Sequence, residues 1–414
     1  MNPLKQLAGQ TAVYGLSSIV GRFLNYLLVP LHTARFVPEQ FGIITEMYAY
    51  VAFLTVLLTY GMETAYFRFS TKKEYSSETV YQTALNSIIA SSVLFIFLIS
   101  LFSSKIAAWL QYPENSEYVV WFAFILGLDA MASIPLAKLR ANGKALYFAG
   151  VNLASIITNI GLNVFFIYFC MGWAEEGVSN FFTKYFYDPS IGIGYVFIAN
   201  LVASIVKFIL LLPLLIKQLF KFDFSTWKTM IWYAFPLLIA GLAGIANETI
   251  DRILLKNILS PVLGFNEALR QVGIYGAVYK ISIIITLFIQ AFRYAAEPFF
   301  FHHEKHKNAP FAYAVVMNFF VIVCVSVFMG VMLYIDIVKQ FLRQKEYWEG
   351  LHVVPVLLMA NIFLGIYYNL SAWYKLSGKT RFGAYFSIIG ALITLTLNLL
   401  WIPEYGYTGA AWAT

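Results

Sequence analysis

Eleven charged side chains stand where the sequence is otherwise apolar: Arg22, Glu46, Glu63, Asp129, Lys207, Glu248, Asp251, Arg252, Lys280, Arg293 and Glu297. A charge at the centre of a bilayer costs about 2.5–3.5 kcal/mol on insertion scales, so each must face a partner, a cavity or a ligand. Some can neutralise a neighbour on their own helix. Glu248 and Arg252 are four apart, as are Arg293 and Glu297, and that spacing puts each pair on one helix face. Arg22 and Lys280 have no opposite charge at helical spacing, and Ser18 and Asn25 add polar groups to the face of Arg22. Cations left over at this depth suit an anion, which arginine meets with a planar two-pronged fork and lysine with a point charge. Arg22, Lys280, Arg252, Arg293 and Asn25 are therefore the candidate ligands of an anionic group. Glu248, Asp251 and Asp129 are candidates for a second chemistry, reversible uptake of a proton or another cation, because burial favours the neutral form of a carboxylate.

The elements that carry these residues are membrane spans. With a mean hydropathy of +0.71, 60% hydrophobic and 12% charged residues, the chain falls far outside soluble proteins, in which about a quarter of residues are charged. Apolar stretches near the ~20 residues that a helix needs to cross hydrocarbon run over Gly9–Pro30, Phe41–Ala65, Val80–Phe102, Glu117–Leu139, Ala145–Met171 and Ile191–Ile216. They continue over Trp227–Leu255, Val272–Ala296, Phe311–Ile335, Val353–Trp373 and Phe382–Ile402. This is the pattern of an all-α polytopic membrane protein; the ~10-residue alternating segments of a membrane barrel are absent. Pro236 inside the seventh span, followed by Gly241 and Gly244, predicts a kink or a break.

The net charge of +7 follows topology and excludes a nucleic-acid surface. The amino terminus and the even-numbered loops hold 15 of the 28 Lys and Arg, the odd-numbered loops 8 and the spans 5. That asymmetry predicts a cytoplasmic amino terminus. A short polar start leads directly into a full-length first span, so that helix is expected to insert and stay. Cys170 and Cys324, both within apolar spans, do not suggest a disulfide framework.

The chain also repeats itself. Residues 41–69 align without gaps on 272–300, matching Gly42 with Gly273, Tyr48 with Tyr279, Thr55 with Thr286 and Ala65 with Ala296. Upstream, Gly15, Leu16, Ile19 and Leu28 match Gly241, Leu242, Ile245 and Leu254; downstream, Gly143, Lys144, Ala149, Leu162 and Asn163 match Gly378, Lys379, Ala384, Leu397 and Asn398. Six spans per repeat keep both halves in one orientation, related by an axis along the membrane normal, the organisation of secondary transporters with a site between repeats. The expected lobes are residues 1–222 and 223–414. The second is read as incomplete, because "GYTGAAWAT" at the end aligns with the start of the sixth span and implies a truncated twelfth.

Two catalytic-looking strings fail on inspection. "LSGKTR" at Leu376–Arg381 resembles a phosphate-binding loop, but the required earlier glycine is Trp373 and no strand precedes it. "HHEKH" at His302–His306 lacks the spacing of a zinc-protease helix. No cofactor, metal or enzymatic activity is expected.

The opening "GQTAVYGLSSIVGRFLNYLLVPLHTARFVPEQFGIITEMYAYVAFL" resembles that of bacterial polysaccharide biosynthesis proteins, the Wzx-type lipid-linked oligosaccharide flippases. "LRANGKALYFAGVNLASIITNIGLN" at Leu139–Asn163 is similar to the same family. The family belongs to the superfamily of multidrug and toxin extrusion (MATE) transporters and the lipid II flippase. The resemblance implies a MATE-like fold of two six-helix lobes related by a pseudo-twofold axis, around a cationic cavity for an undecaprenyl-diphosphate-linked oligosaccharide. It implies a multi-pass protein of the bacterial inner membrane that serves surface polysaccharide or O-antigen assembly, with membrane lipids and polysaccharide polymerase or assembly proteins as neighbours. Arg22 matches the family's habit of a cationic first helix. Two readings compete: a MATE-like multidrug or cation antiporter, which would favour carboxylates, and a membrane-embedded O-antigen polymerase or ligase. The latter needs catalytic groups in a sizeable outer loop, where Gly172–Ser190 offers Glu175, Glu176, Lys184 and Asp188.

Overall fold

Backbone N–H and C=O groups in hydrocarbon have no water to bond, so apolar runs of this length must close their hydrogen bonds internally as helices. The computed structural model describes residues 19–218, 221–303, 309–377, 379 and 381–414, and among these it is helical with no strand. The elements are α1 (19–26), α2 (Leu28–Arg35), α3 (Pro38–Thr59), α4 (Met62–Ser70), α5 (Ser77–Leu101), α6 (Ser116–Ala141) and α7 (Ala145–Asn163). They continue as α8 (Gly194–Leu215), α9 (Phe224–Leu263), α10 (Phe265–His303), α11 (Ala309–Leu333), α12 (Val354–Leu376) and α13 (Arg381–Ala413). Ten helices among the described residues are long and apolar enough to cross a membrane, and they fall on the second to eleventh expected spans. The start of the first span, residues 304–306 of the "HHEKH" run and the side chains of Glu297, His302 and His303 lie outside the described residues.

Helices overrun the apolar windows that announce them. The seventh span reads as ending at Leu255, but α9 has 40 residues and continues to Leu263. At ~1.5 Å per residue that is about 60 Å, roughly twice the ~30 Å of hydrocarbon. The helical pattern also carries through Pro236 without interruption, so the break expected there is not found. A break occurs instead at Gly406, whose φ of 57° and ψ of −137° end the long run of α13 and start a short final segment. A side chain at that positive φ would be strained, which is why glycine occupies the corner.

Packing divides the chain into two compact units. The first, over Tyr50–Leu242, is built on α5, α6 and α8, with a core that includes Met62, Tyr66, Tyr81, Leu85, Ile134 and Leu211. Side-chain hydrogen bonds tie its helices together: Tyr81 donates to the Leu214 carbonyl at 2.9 Å, and Trp227 Nε1 donates to Ser87 Oγ at 2.8 Å.

The second unit comprises Ser18–Ala49 and Ala243–Thr414. Here α10 packs against α12 and against the 3-10 segment Lys345–Val353. The amino-terminal end of α3 meets α10 with no side chain between them. A Cβ on Gly42 would strike the Leu269 carbonyl and lie 3.2 Å from Gly273 N. A Cβ on Gly273 would strike the Pro38 carbonyl and lie 2.9 Å from Gly42 N. One turn along, Gly276 faces Thr45. Every one of these partners is separated from its repeat equivalent by 231 positions: Pro38 and Leu269, Gly42 and Gly273, Thr45 and Gly276. The crossing is self-complementary, the same patch meeting its own copy, as at a twofold interface.

Candidate functional site

Among the described in-span charges, several pairs join helices that no local spacing rule connects. Lys256 Nζ lies 2.7 Å from Glu46 Oε1, with both side chains fully buried. Lys207 donates to Asp129 Oδ1 at 2.9 Å, and Arg140 pairs with Glu63. The predicted Glu248–Arg252 ion pair is replaced by another. Arg252 Nη1 is 3.2 Å from Asp251 Oδ1, and it donates to the backbone carbonyl of Glu248 rather than to its carboxylate. Adjacent residues on a helix point apart, so this pairing depends on the guanidinium folding back. It does so beneath two rings, 4.2 Å from the centroid of Tyr279 and 5.8 Å from that of Tyr275. The other oxygen of Asp251 accepts from Tyr275 O–H at 2.5 Å, with Thr414 Oγ1 at 3.4 Å. Asp251 is thus a fully engaged carboxylate, 2% exposed.

The remaining cations gather along α10 within the second unit. Arg22, on α1, turns its guanidinium to Gln290: with the amide oxygen facing it, both terminal nitrogens donate to that oxygen, one at 3.0 Å. Arg293, three residues on from Gln290 and so on the same helical face, lies over the ring of Tyr368 at 4.1 Å. Arg22, Arg293 and Glu248 are all within electrostatic reach of Tyr368, and Lys280 is within reach of Arg252. Lys280 and Arg293 lie about 20 Å apart along the α10 axis and, at ~100° per residue, about 140° apart around it, so Arg293 shares its face with Gln290 and Arg22 whereas Lys280 points elsewhere. Arg22, Arg293 and Lys280 have no carboxylate partner among the described residues. Arg22 and Asn25 are exposed, and Lys280 and Arg293 half-buried.

Four candidate cations, Arg22, Arg252, Lys280 and Arg293, therefore share one unit, with Glu248 and Asp251 beside them. Asp129 belongs to the other unit. The spacing rules missed Gln290, Tyr279 and Tyr368, the groups that hold the cations in place. A weak signal existed for two of them: Tyr279 is one of the matched positions of the repeat, and Gln290 is a polar residue one turn from Arg293 in an apolar span. Chemically, the arrangement is a pair of guanidinium groups, Arg22 and Arg293, beside the ring of Tyr368, with Arg252 under Tyr279 and Lys280 on another face of α10, able to accept an anion and the flat apolar face of a sugar ring.

Fold and site together define a multi-pass helical membrane protein of the MATE-like class. Its structure aligns with an inward-facing multidrug resistance MATE family transporter of the MOP superfamily (TM-score 0.70, 14% identity, over 94% of this chain and 89% of that one). It aligns equally with the lipid II flippase MurJ in an inward closed conformation (TM-score 0.72, 17% identity, 96% and 83%). A third match is the MATE multidrug transporter DinF-BH (TM-score 0.66, 15% identity, 100% and 92%). The chain belongs to the polysaccharide biosynthesis protein family, whose model matches residues 7–304. No curated protein matches it in sequence.

Proposed function

We propose that this protein is a flippase that moves undecaprenyl-diphosphate-linked oligosaccharide units across the bacterial inner membrane for surface polysaccharide assembly, with its amino terminus in the cytoplasm. Family membership supports a glycan-pathway role. The observation that carries the reading is a pair of cations on one face of α10, Arg22 held on Gln290 and Arg293 one turn further along over the ring of Tyr368, neither with a carboxylate partner among the described residues. Arg22 and Arg293 bind the diphosphate through forked hydrogen bonds, Lys280 and Arg252 extend the favourable field, and Tyr279 and Tyr368 offer rings to the first sugars. The two lobes, residues 1–222 and 223–414, alternate access to these cations from either side. Glu248 is the coupling carboxylate in this scheme, being exposed and having no ion pair among the described residues, whereas Asp251 and Asp129 are already engaged.

The competing classes find less support. A cationic drug would meet four positive side chains. In the Gly172–Ser190 loop a short helix, Phe181–Tyr185, is capped by Asn180, and the Asp188 carboxylate is taken by Ser190 at 2.7 Å.

Restoration of surface glycan in a flippase-deficient strain tests the proposal. Arg22→Ala, Arg293→Ala and Lys280→Ala should each abolish restoration at normal membrane levels, and Arg22→Lys should fail where a forked contact is required. Full restoration by all three alanine variants refutes the cationic site. Glu248→Gln should change the dependence of transport on the proton or sodium gradient.

A further inference from the structure

A groove of ≈ 1180 Å³ runs along the first unit, between α5, the start of α9 and the Tyr60 corner that joins α3 to α4. On α5 its wall is a single helical face: Asn86, Ala90, Leu94 and Phe97 follow one another at spacings of four, four and three. Phe222 and Trp227 supply the other wall. Leu94 is 56% exposed and Phe97 62%, so the groove is open rather than enclosed.

Its two ends differ in chemistry. At one end Asn86 Nδ2 donates to the backbone carbonyls of Gln218 and Lys221, each at 2.9 Å. Beside it Ser87 Oγ accepts from Trp227 Nε1 at 2.8 Å and lies 2.7 Å from the Tyr60 hydroxyl. These bonds hold the basic linker and the first turn of α9 against α5 at the level of Asn86. Lys221 immediately precedes Phe222, Lys228 immediately follows Trp227, and both lysines are exposed. The one carboxylate between them, Asp223, is turned to the Thr226 N–H at 2.7 Å. From Asn86 the α5 wall runs eleven residues to Phe97, with no charged residue in the described lining. That length is about 16 Å, half of the ~30 Å of hydrocarbon and so the depth of one leaflet.

An apolar wall does not by itself select a lipid, because one hydrocarbon tail is as apolar as the next. Selection comes from the cationic end, where each lysine near an anionic head group favours it about fivefold. We propose that the groove is a site for an anionic phospholipid of the leaflet that faces the basic loops. One acyl chain lies along Ala90, Leu94 and Phe97, and the phosphate meets Lys221 and Lys228. A polyprenyl carrier has a chain far longer than one leaflet and would outrun the groove. The site uses none of the cations of α10, so it stands or falls apart from the substrate reading above.

The test uses the full chain, purified in a maltoside detergent and stripped of lipid, with bound phospholipid counted by native mass spectrometry. Dioleoyl phosphatidylglycerol should fill one tight site that phosphatidylcholine with the same chains fills far more weakly. Lys221→Gln and Lys228→Gln should each weaken phosphatidylglycerol about fivefold and leave phosphatidylcholine unchanged. Ala90→Trp, which fills the middle of the groove, should remove the tight site. Equal affinity of the wild type for the two lipids overturns the proposal, as does a tight site that survives in Ala90→Trp. Displacement of phosphatidylglycerol by an equimolar amount of undecaprenyl phosphate assigns the groove to a carrier chain and overturns it too. If Ala90→Trp does not fold, the head-group comparison and the two lysine variants decide.

Discussion

Replacing Lys256 by methionine is the sharpest test of how this membrane protein tolerates charge. The side chain keeps its length and apolar stem but loses the ammonium that sits 2.7 Å from Glu46, where neither group is exposed. Removing one partner of a buried pair costs about 3–5 kcal/mol, because the other charge stays buried and uncompensated. Glu46 has an escape: it can take up a proton. For an ordinary Glu of pKa ≈ 4.3 this costs about 3.7 kcal/mol at pH 7, at 1.36 kcal/mol per unit, and about 1 kcal/mol at pH 5. The deficit of Lys256→Met should therefore shrink as pH falls. The double variant Glu46→Gln/Lys256→Met should recover most of the loss, because replacing both buried charges is often neutral. Thermal unfolding of the detergent-solubilised protein, followed by tryptophan fluorescence at one scan rate, reads these differences. For a chain of this length about 4 kcal/mol corresponds to roughly 6 °C, extrapolating from 2–4 °C per kcal/mol for 150–250 residues. If the double variant loses the sum of the single losses, or if the Lys256→Met deficit is constant between pH 5 and 7, the buried-pair reasoning is wrong.

The half-exposed Glu63–Arg140 pair should behave differently: Glu63→Gln should cost no more than about 1 kcal/mol in the same assay. Gly42→Ala and Gly273→Ala each push a methyl into a backbone carbonyl that cannot yield; each should cost about 1–3 kcal/mol. Gly244→Ala, with open space around it, should stay within about 0.5 kcal/mol of wild type. Hydrogen bonds from Thr226, first its side chain and then its N–H, hold the Asp223 carboxylate below the usual range at the start of α9. That contribution is present above the ordinary carboxylate pKa and is lost as pH falls through the lower folded value. Amide exchange at the start of α9 should accelerate over that acid window in the wild type, whereas Asp223→Asn should keep the cap and lose the pH dependence.

What was legible in the sequence was whatever depends on local spacing or on composition. Apolar windows located ten spanning helices, because the demand that backbone polar groups be satisfied acts on each segment separately. The inventory of in-span charges was also readable, and four of its cations proved to share one unit. Pairing between helices was not readable. Lys256 looked like a loop residue because the apolar window closes at Leu255, yet α9 continues past it, and Glu46 is 210 positions away in sequence. The Glu248–Arg252 rule failed for a related reason: four-residue spacing puts two groups on one face but does not weigh a closer carboxylate, and Asp251 with its Tyr275 contact is closer. Rings that stack on guanidinium groups gave little signal in a chain with 28 Tyr and 38 Phe.

The bare crossing of α3 and α10 bears on the history of the molecule. When a gene is duplicated and fused, residues on the symmetry axis of an ancestral self-associating half end up touching their own descendants. Gly42 and Gly273 stand in that relation, and so do Pro38 with Leu269 and Thr45 with Gly276. Elsewhere the two copies were at liberty to drift, as the cations of α10 and the Glu46 of α3 have done. At this seam a change in one copy must be absorbed by the other at once, so the two halves are bound to vary together there and nowhere else along α3 and α10 need they do so.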